Sequence, residues 1–456
     1  MKIAGIDIGT TTISLVLLDG ESGQMLGRKT IEHGSGSFLK GEFETSRIQD
    51  PERICKLALN GFEELTKGCD DLKAIGMTGQ MHGMLYVDRN GRAVSPLYTW
   101  QDGSGDIPLP GESTGMASYL RERVGNASTG YGVTTHAFLQ RTGRVPAEAV
   151  SMVTISDYLA MRLCGNTSPV LGADMAASWG CFDLEKKVFL KDRLEKAGVD
   201  VSYLPEVHTS YDVIGRTKDG VPVICSLGDN QASVIGSVQD IGSTLLLNVG
   251  TGSQVSMGCG RYVSCGGSVE LRPCTENMYI LAGSSLCGGR AYAMLEQFYR
   301  SAPGCTSEEA LYDYMEAQAE EFLSKHSREE AWKIIPVFSG TRSDPDKSGS
   351  ISGIRTTNFT PGAMTAGMIL GILEELNGYY GKMQKLTGKR ASVLVGSGNG
   401  IRRNPLMRRL AEELLGMPMR IPAFQEEAGC GAALAALHAA GYTETLQEAQ
   451  KKIAYL

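Results

Sequence analysis

The sequence predicts an α/β protein built from two related domains facing each other, and three observations carry that prediction. First, 456 residues are too many for one ordinary hydrophobic core, so two domains are the natural division. Second, strand-like runs end repeatedly in glycine, at Gly9, Gly79, Gly228, Gly250 and Gly396. Glycine there lets the backbone turn sharply and approach a ligand closely. Third, one pattern of hairpin, helix and strand-turn occurs twice in the same order.

The hairpins come first. "IDIGTTTISLVLL" (6–18) is echoed by "LNVGTGSQVSMG" (247–258), and each reads as strand, Gly-Thr turn, strand. Aligned on their glycines, Asp7 faces Asn248, Gly9 faces Gly250, Thr10 faces Thr251 and Thr12 faces Ser253. The helices follow, as "PERICKLALNGFEELTKG" (51–68) and "PGAMTAGMILGILEELNGYYGKMQKLTG" (361–388), both with apolar residues at helical spacing. Each leads into an apolar strand with a glycine-rich turn, "LKAIGMTGQMHG" (72–83) and "ASVLVGSGNGIR" (391–402). The echoes lie roughly 240–320 residues apart, too far for a solenoid and suited to a duplicated domain. The boundary is expected near "IGSVQDIGSTLL" (235–246), dividing the chain into 1–240 and 241–456. The Glu-rich stretch "SEEALYDYMEAQAEEFLSKHSREEAW" reads as surface helix.

Composition narrows the function classes. Hydrophobic residues at 42% and charged residues at 21% argue against global disorder. A net charge of −7 argues against a dedicated nucleic-acid or anionic-membrane binder. No apolar run approaches the ~20 residues of a membrane span, and "MKIAGIDIGTT" is too short and too interrupted for a signal peptide. The eleven scattered cysteines read as reduced thiols of a cytoplasmic protein. The sequence leaves oligomeric state open.

Several motifs carry chemistry. A strand-Gly-Thr-strand turn offers backbone N–H groups and hydroxyls to an anion, and such concave nests hold phosphate. The Lys-containing P-loop is absent. Asp7 is anomalous inside an apolar strand. It is either a turn residue or a ligand for Mg²⁺ riding on bound phosphates. In "VICSLGDNQASVIGS" (223–237) a strand runs out at Gly228 and Asp229 opens a small-residue helix. Asp229 is there either an N-cap or an acceptor for a substrate hydroxyl proton. Its counterpart in "EEAGCGAALAAL" (426–437) is Ala428. The shared Gly/Ala pattern predicts two closely packed helices, and the unshared Asp predicts a task of the first half alone. "GMTGQMHGM" (76–84) places Gln80 and His82 at a strand-end turn, suited to sugar hydroxyls, and "YTWQDGSGD" (98–106) adds Trp100 and Asp102. "GSGNGIRRNPLMRRLAEELLG" (396–416) is a glycine turn running into a helix started by Asn404 and Pro405, a flat platform for an adenine ring.

Taken together, "GIDIGTTT", "GQMHG", "WQDG", "LGDNQASV", "NVGTGS" and "GSGNGIRRN" resemble the FGGY carbohydrate kinases, in order and over nearly the whole chain. The resemblance implies the actin/hexokinase/Hsp70-like fold: two ribonuclease-H-like domains with the active site in the cleft between them. It implies ATP, with Mg²⁺, as phosphoryl donor and a small-molecule sugar as acceptor. "GQMHG" is similar to the ketose-kinase subgroup. "STGYGVTTHAFL" (128–139), "ISDYLAMRLCG" (155–165) and "DMAASWGCFD" (174–183) resemble the sedoheptulokinases within it. Ser104 departs from that subgroup, which often carries Arg there. The favoured acceptor is sedoheptulose, with xylulose or another ketose as alternative. A non-catalytic sugar sensor and an actin-like ATPase are the rivals from other classes.

Carried onto this sequence, the resemblance makes Asp229 the catalytic base and Asp7 the metal residue. Gln80, Met81, His82, Trp100, Asp102 and Asp229 line the sugar site. Gly9, Thr10, Thr11, Gly250, Thr251, Gly252, Gly288, Gly396, Gly398 and Asn404 hold the nucleotide.

Overall fold

The computed structural model describes residues 1–109, 111–301, 309–341, 344 and 346–456. By packing, the chain forms two compact units. One comprises Met1–Gln239, Arg272–Tyr279 and Glu426–Ala454, the other Asp240–Leu271, Ile280–Gln425 and Tyr455–Leu456. The first change of unit falls at Gln239/Asp240, beside the expected boundary, and two later segments pack with the first unit.

The first unit is built on a sheet of seven strands. Its hairpin is β1 (Lys2–Ile8) and β2 (Thr12–Asp19), extended by β3 (Met25–Glu32). Helix α1 (Pro51–Leu65) begins at the Asp50 cap, with Pro51 in its first turn, and buries Ile54, Ala58 and Phe62. It crosses over to β4 (Leu72–Gly79), which lies parallel to β1. After α2 (Ile155–Cys164) the chain adds β5 (Val213–Arg216), β6 (Pro222–Ile224) and β7 (Leu227–Gly228), then α3 (Asp229–Ser237). The order is β5-β6-β4-β1-β2-β3, with β7 also paired to β4.

The second unit repeats the central arrangement. β8 (Thr244–Val249) and β9 (Ser253–Cys259) form an antiparallel hairpin. β10 (Glu270–Thr275) and β11 (Met278–Ser285) extend the sheet, although Arg272–Tyr279 belong to the first unit by packing. Helix α4 (Gly288–Arg300) is followed by α5 (Pro361–Thr387), capped by Thr360 and ended by left-handed Gly388. α5 leads to β12 (Val393–Ser397), parallel to β8, then α6 (Pro405–Leu415) and β13 (Met419–Arg420). The order is β10-β11-β9-β8-β12-β13. Helix Tyr312–Lys325 lies within the expected Glu-rich stretch, and residues 302–308 lie outside the described residues.

The late helix α7 (Glu427–Ala439) packs with the first unit, against α3, β4, β1 and β2. Glycine makes the approach possible. A Cβ on Gly5 would lie 1.9 Å from Gly429 O, and one on Gly76 1.9 Å from Ala432 O. Gly236 and Gly431 meet the facing helix at the same separation. The Gly/Ala pattern shared by 229–237 and 426–437 is thus the surface along which α3 and α7 touch, and this contact holds 426–454 in the first unit. Among the described residues, no helix is long and apolar enough to cross a membrane.

Candidate active site

In the first unit, three parallel strands end at one level. Asp7 pairs in register with Thr78 and Ile8 with Gly79, while Leu227 pairs with Thr78 and Gly228 with Gly79. Ligands of open α/β sheets bind beyond such carboxyl ends, and seven of the ten first-unit residues expected at the site follow one of these three ends, Asp7, Trp100 and Asp102 being the exceptions. Gly9–Thr11 follow β1, Gln80–His82 follow β4 and Asp229 follows β7.

Asp7 is not a turn residue. It lies inside β1, opposite Ser14 of β2, and its buried Oδ1 has no hydrogen-bond partner. Burial, and then the negative charge of Asp229, push its pKa up to about 7. A buried carboxylate oxygen without a donor, facing a second carboxylate, is the environment that a divalent cation relieves. The residues present therefore fit Mg²⁺.

The turn that follows is held from behind. The Gly9 carbonyl accepts from His33 Nε2 (3.1 Å), the Thr10 carbonyl from Gln49 Nε2 (2.8 Å), and the Thr11 carbonyl from His33 and Gly34 N–H. Because a carbonyl only accepts, His33 carries its proton on Nε2 and accepts from Ser37 Oγ at Nδ1. With the carbonyls tied back, the N–H groups of Thr10 and Thr11 remain for an anion. Trp100 Nε1 donates to Thr10 Oγ1 at 2.9 Å, so the half-exposed indole adjoins this turn.

Asp229 is the first residue of α3. Gly228 occupies the cap position and no side chain caps the helix, so Asp229 is not spent on capping. Its Oδ1 accepts from Asn230 Nδ2 at 2.9 Å. Burial raises its pKa, opposed by the Asn230 hydrogen bonds and the Arg272 charge. Asn230 Nδ2 also reaches Met81 Sδ at 3.8 Å, and Met81 packs against Gly228. Met81 thus forms a wall beside Asp229.

The remaining sugar-site candidates divide. Gln80 donates to Gln49 Oε1 at 3.2 Å, and its own Oε1 is buried without a partner. His82 adopts φ 74°, its N–H donates to Ser178 Oγ (3.0 Å), and its Nδ1 donates to the Ser178 carbonyl (2.6 Å). Its ring stacks on Tyr131 at 4.6 Å, only 5° from parallel. These are long-range bonds, not the local backbone bonding that a lone histidine at a turn suggests. Asp102 is 1% exposed, and both its oxygens accept backbone N–H groups, from Arg47 (2.9 Å) and Ser104 (3.1 Å). Backbone groups orient it, although Ser104 stands where the resembling subgroup often has Arg.

In the second unit the nucleotide candidates gather around the end of β8. Gly250 N–H donates to Gly252 O at 2.9 Å, a turn one residue tighter than the first, where Gly9 N–H donates to Thr12 O. Gly289 and Arg290, in the first turn of α4, donate to the Gly250 and Thr251 carbonyls (2.9 and 2.8 Å). A Cβ on Gly288 would lie 2.5 Å from Ser253 Cβ, and one on Gly398 (φ 80°) 2.5 Å from Val249 O. Asn248, facing Asp7 in the internal alignment, donates to Ser397 Oγ at 2.8 Å. The neutral position is thus satisfied within the protein, whereas Asp7 keeps an oxygen without a donor. Gly396 and Asn404 differ from the rest. Gly396 turns its bare side toward Met419 and Ile401, and Asn404 Oδ1 caps α6 by accepting from Met407 N–H at 2.7 Å.

Sequence reasoning passed over His33, Gln49, Tyr131 and Ser178.

The residues 2–236 match the N-terminal domain, and 260–440 the C-terminal domain, of the FGGY family of carbohydrate kinases. The chain is 27% identical to the sedoheptulokinase of Mus musculus, covering 91% of this chain and 93% of the relative. It is 26% identical to that of Homo sapiens, covering 95% and 96%. The crystal structure of ligand-bound xylulose kinase from Lactobacillus acidophilus superposes with a TM-score of 0.83 at 21% identity, covering 100% of this chain and 92% of that one. The fold is the two-domain one of these kinases. Both domains of that family are thus matched over most of the chain, and the chain, a phosphotransferase, belongs to the FGGY family of carbohydrate kinases.

Proposed function

We propose that this kinase transfers the γ-phosphoryl group of ATP to the terminal hydroxyl of a ketose, with sedoheptulose, giving sedoheptulose 7-phosphate, as the favoured acceptor. The observation that carries the reading is Asp229, partly buried just past the end of β7, unused as a cap, and close enough to Asp7 for its charge to raise the Asp7 pKa. In this reading Asp229 accepts the proton of the ketose hydroxyl. The hydroxyl oxygen forms a bond to the γ-phosphorus while the bond to the β–γ bridging oxygen breaks, and ADP leaves. Gln80, Met81, His82, Trp100 and Asp102 shape and orient the sugar. The reading assigns the nucleotide to residues of both turns: Gly9, Thr10 and Thr11 in 1–240, and Gly250, Thr251, Gly252, Gly288 and Gly398 in 241–456. Asp7 would hold Mg²⁺, which supplies charge neutralisation on the phosphates.

Similarity to two sedoheptulokinases over nearly their whole lengths supports the acceptor. The xylulose kinase fold supports xylulose as the second reading. The kinase is taken to work in the cytoplasm, where ATP is available and thiols stay reduced; all ten described cysteines are free.

The test is ADP release with Mg²⁺–ATP over sedoheptulose, xylulose, ribulose, fructose and glycerol, each against a blank without acceptor. Sedoheptulose is expected to give the highest kcat/KM. Clear preference for glycerol would overturn the ketose reading, ADP release without sugar would indicate an ATPase, and no release with any acceptor a sensor.

A further inference from the structure

Among the described residues, the strand that delivers Asp229 has a strand neighbour on one side only. β7 pairs with β4 through Leu227 and Gly228. In an extended chain the N–H groups of residues two apart point to the same side. On the side away from β4, two buried carboxylates replace a strand. Asp157 Oδ1 accepts from Ser226 N–H at 2.9 Å, and Asp174 Oδ2 accepts from Gly228 N–H at 2.8 Å. Asp174 is itself fixed, because Oδ1 accepts from Met175 N–H (2.8 Å) and Oδ2 from Tyr211 O–H (3.2 Å). Keeping a carboxylate buried for two peptide N–H groups and one phenol is costly, and burial raises the Asp174 pKa to about 7.

Asp174 also lies on the same short helix as a second site contact. Helix Ala173–Ser178 carries Asp174 at its start and Ser178 at its end. Ser178 holds the backbone N–H and the ring of His82. One rigid turn of chain thus grips the peptide before the base and the histidine of the sugar site.

We propose that Asp174 is a positioning residue for phosphoryl transfer: through Gly228 N–H it fixes the peptide that delivers Asp229 and so sets the alignment of the base with the acceptor hydroxyl. The proposal rests on the reading of Asp229 as the base. Asp174 does not touch substrate; it acts through Asp229, and Ser178 sets the His82 side of the same geometry.

The test is steady-state kinetics of the full chain with Mg²⁺–ATP and sedoheptulose, or the ketose that the acceptor screen selects. Misplacing a catalytic group by about 1 Å can cost on the order of 10²-fold. Asp174→Asn should therefore lower kcat about 10- to 100-fold, with both KM values held within about threefold. Ser178→Ala should instead raise the KM for the ketose and leave that for ATP unchanged. In the Asp229→Asn background, Asp174→Asn should cause no further loss, because residues acting as a unit are not additive. A purely structural role would lower the residual rate there as well, and that result would overturn the proposal. So would wild-type kcat in a folded Asp174→Asn protein. If that variant does not fold, Tyr211→Phe removes one donor to Asp174, and kcat should fall at constant KM; unchanged kcat overturns the proposal. Wild-type turnover in Asp229→Asn would instead remove the base reading itself, and this inference with it.

Discussion

Asp7, inside β1, and Asp229, just past the end of β7, are two partly buried carboxylates, and their chemistry differs because their partners differ. Asp229 has Asn230 as a donor and feels the Arg272 charge; Asp7 keeps one oxygen with no donor and feels only burial and Asp229. A cation satisfies the second arrangement and a proton-accepting role suits the first. Asp7→Asn is accordingly expected to raise the Mg²⁺ concentration needed for half-maximal activity and to spare ketose binding, as measured by titrating Mg²⁺ and by calorimetry with ketose alone. An unchanged metal requirement would separate Asp7 from the metal. The pH dependence follows from Asp229. A base works only when ionised, and burial lifts this carboxyl above its ordinary 3.8. Activity should therefore fall with decreasing pH through a limb that lies above the ordinary carboxylate range, measurable as kcat/KM against pH.

At the scale of elements, the hairpins and the helix-to-strand crossovers were legible in the sequence because their signals are local. Alternating apolar residues, a Gly-Thr turn and a following helical period occupy neighbouring positions, and the structure pairs β1 with β2 and β8 with β9 accordingly. The bonds that finish the site were not legible. Asp174 meets Gly228 across 54 positions, His82 meets Ser178 across 96, and His33 meets Gly9 across 24. No periodicity links such residues; only the folded sheet brings them together. The Gly/Ala helices are an intermediate case. Their small-residue pattern announced close packing, but the sequence did not show that α7 would rest on the sheet glycines of β1 and β4. That contact makes a prediction. Gly76→Ala places a methyl 1.9 Å from a backbone carbonyl of α7. Overpacking of this kind costs about 1–3 kcal/mol, so chemical denaturation should show at least that loss. Unchanged stability would mean that α7 does not rest on β4 this closely.

At the scale of the molecule, two units repeat one plan but divide its chemistry. Both keep a strand, a Gly-Thr turn and a parallel neighbour, and both turns offer N–H groups suited to phosphate. Only the first keeps the acids, Asp7 in place of Asn248 and Asp229 in place of Ala428. A sugar kinase needs one base and one metal for one transferred phosphoryl group, and the asymmetry matches that need. The most direct test is Asp229→Asn, measured for ketose-dependent ADP release and, by calorimetry, for ketose binding. A loss of about 10²–10⁴-fold in kcat with ketose affinity retained is expected. Near-wild-type turnover in that variant would contradict it.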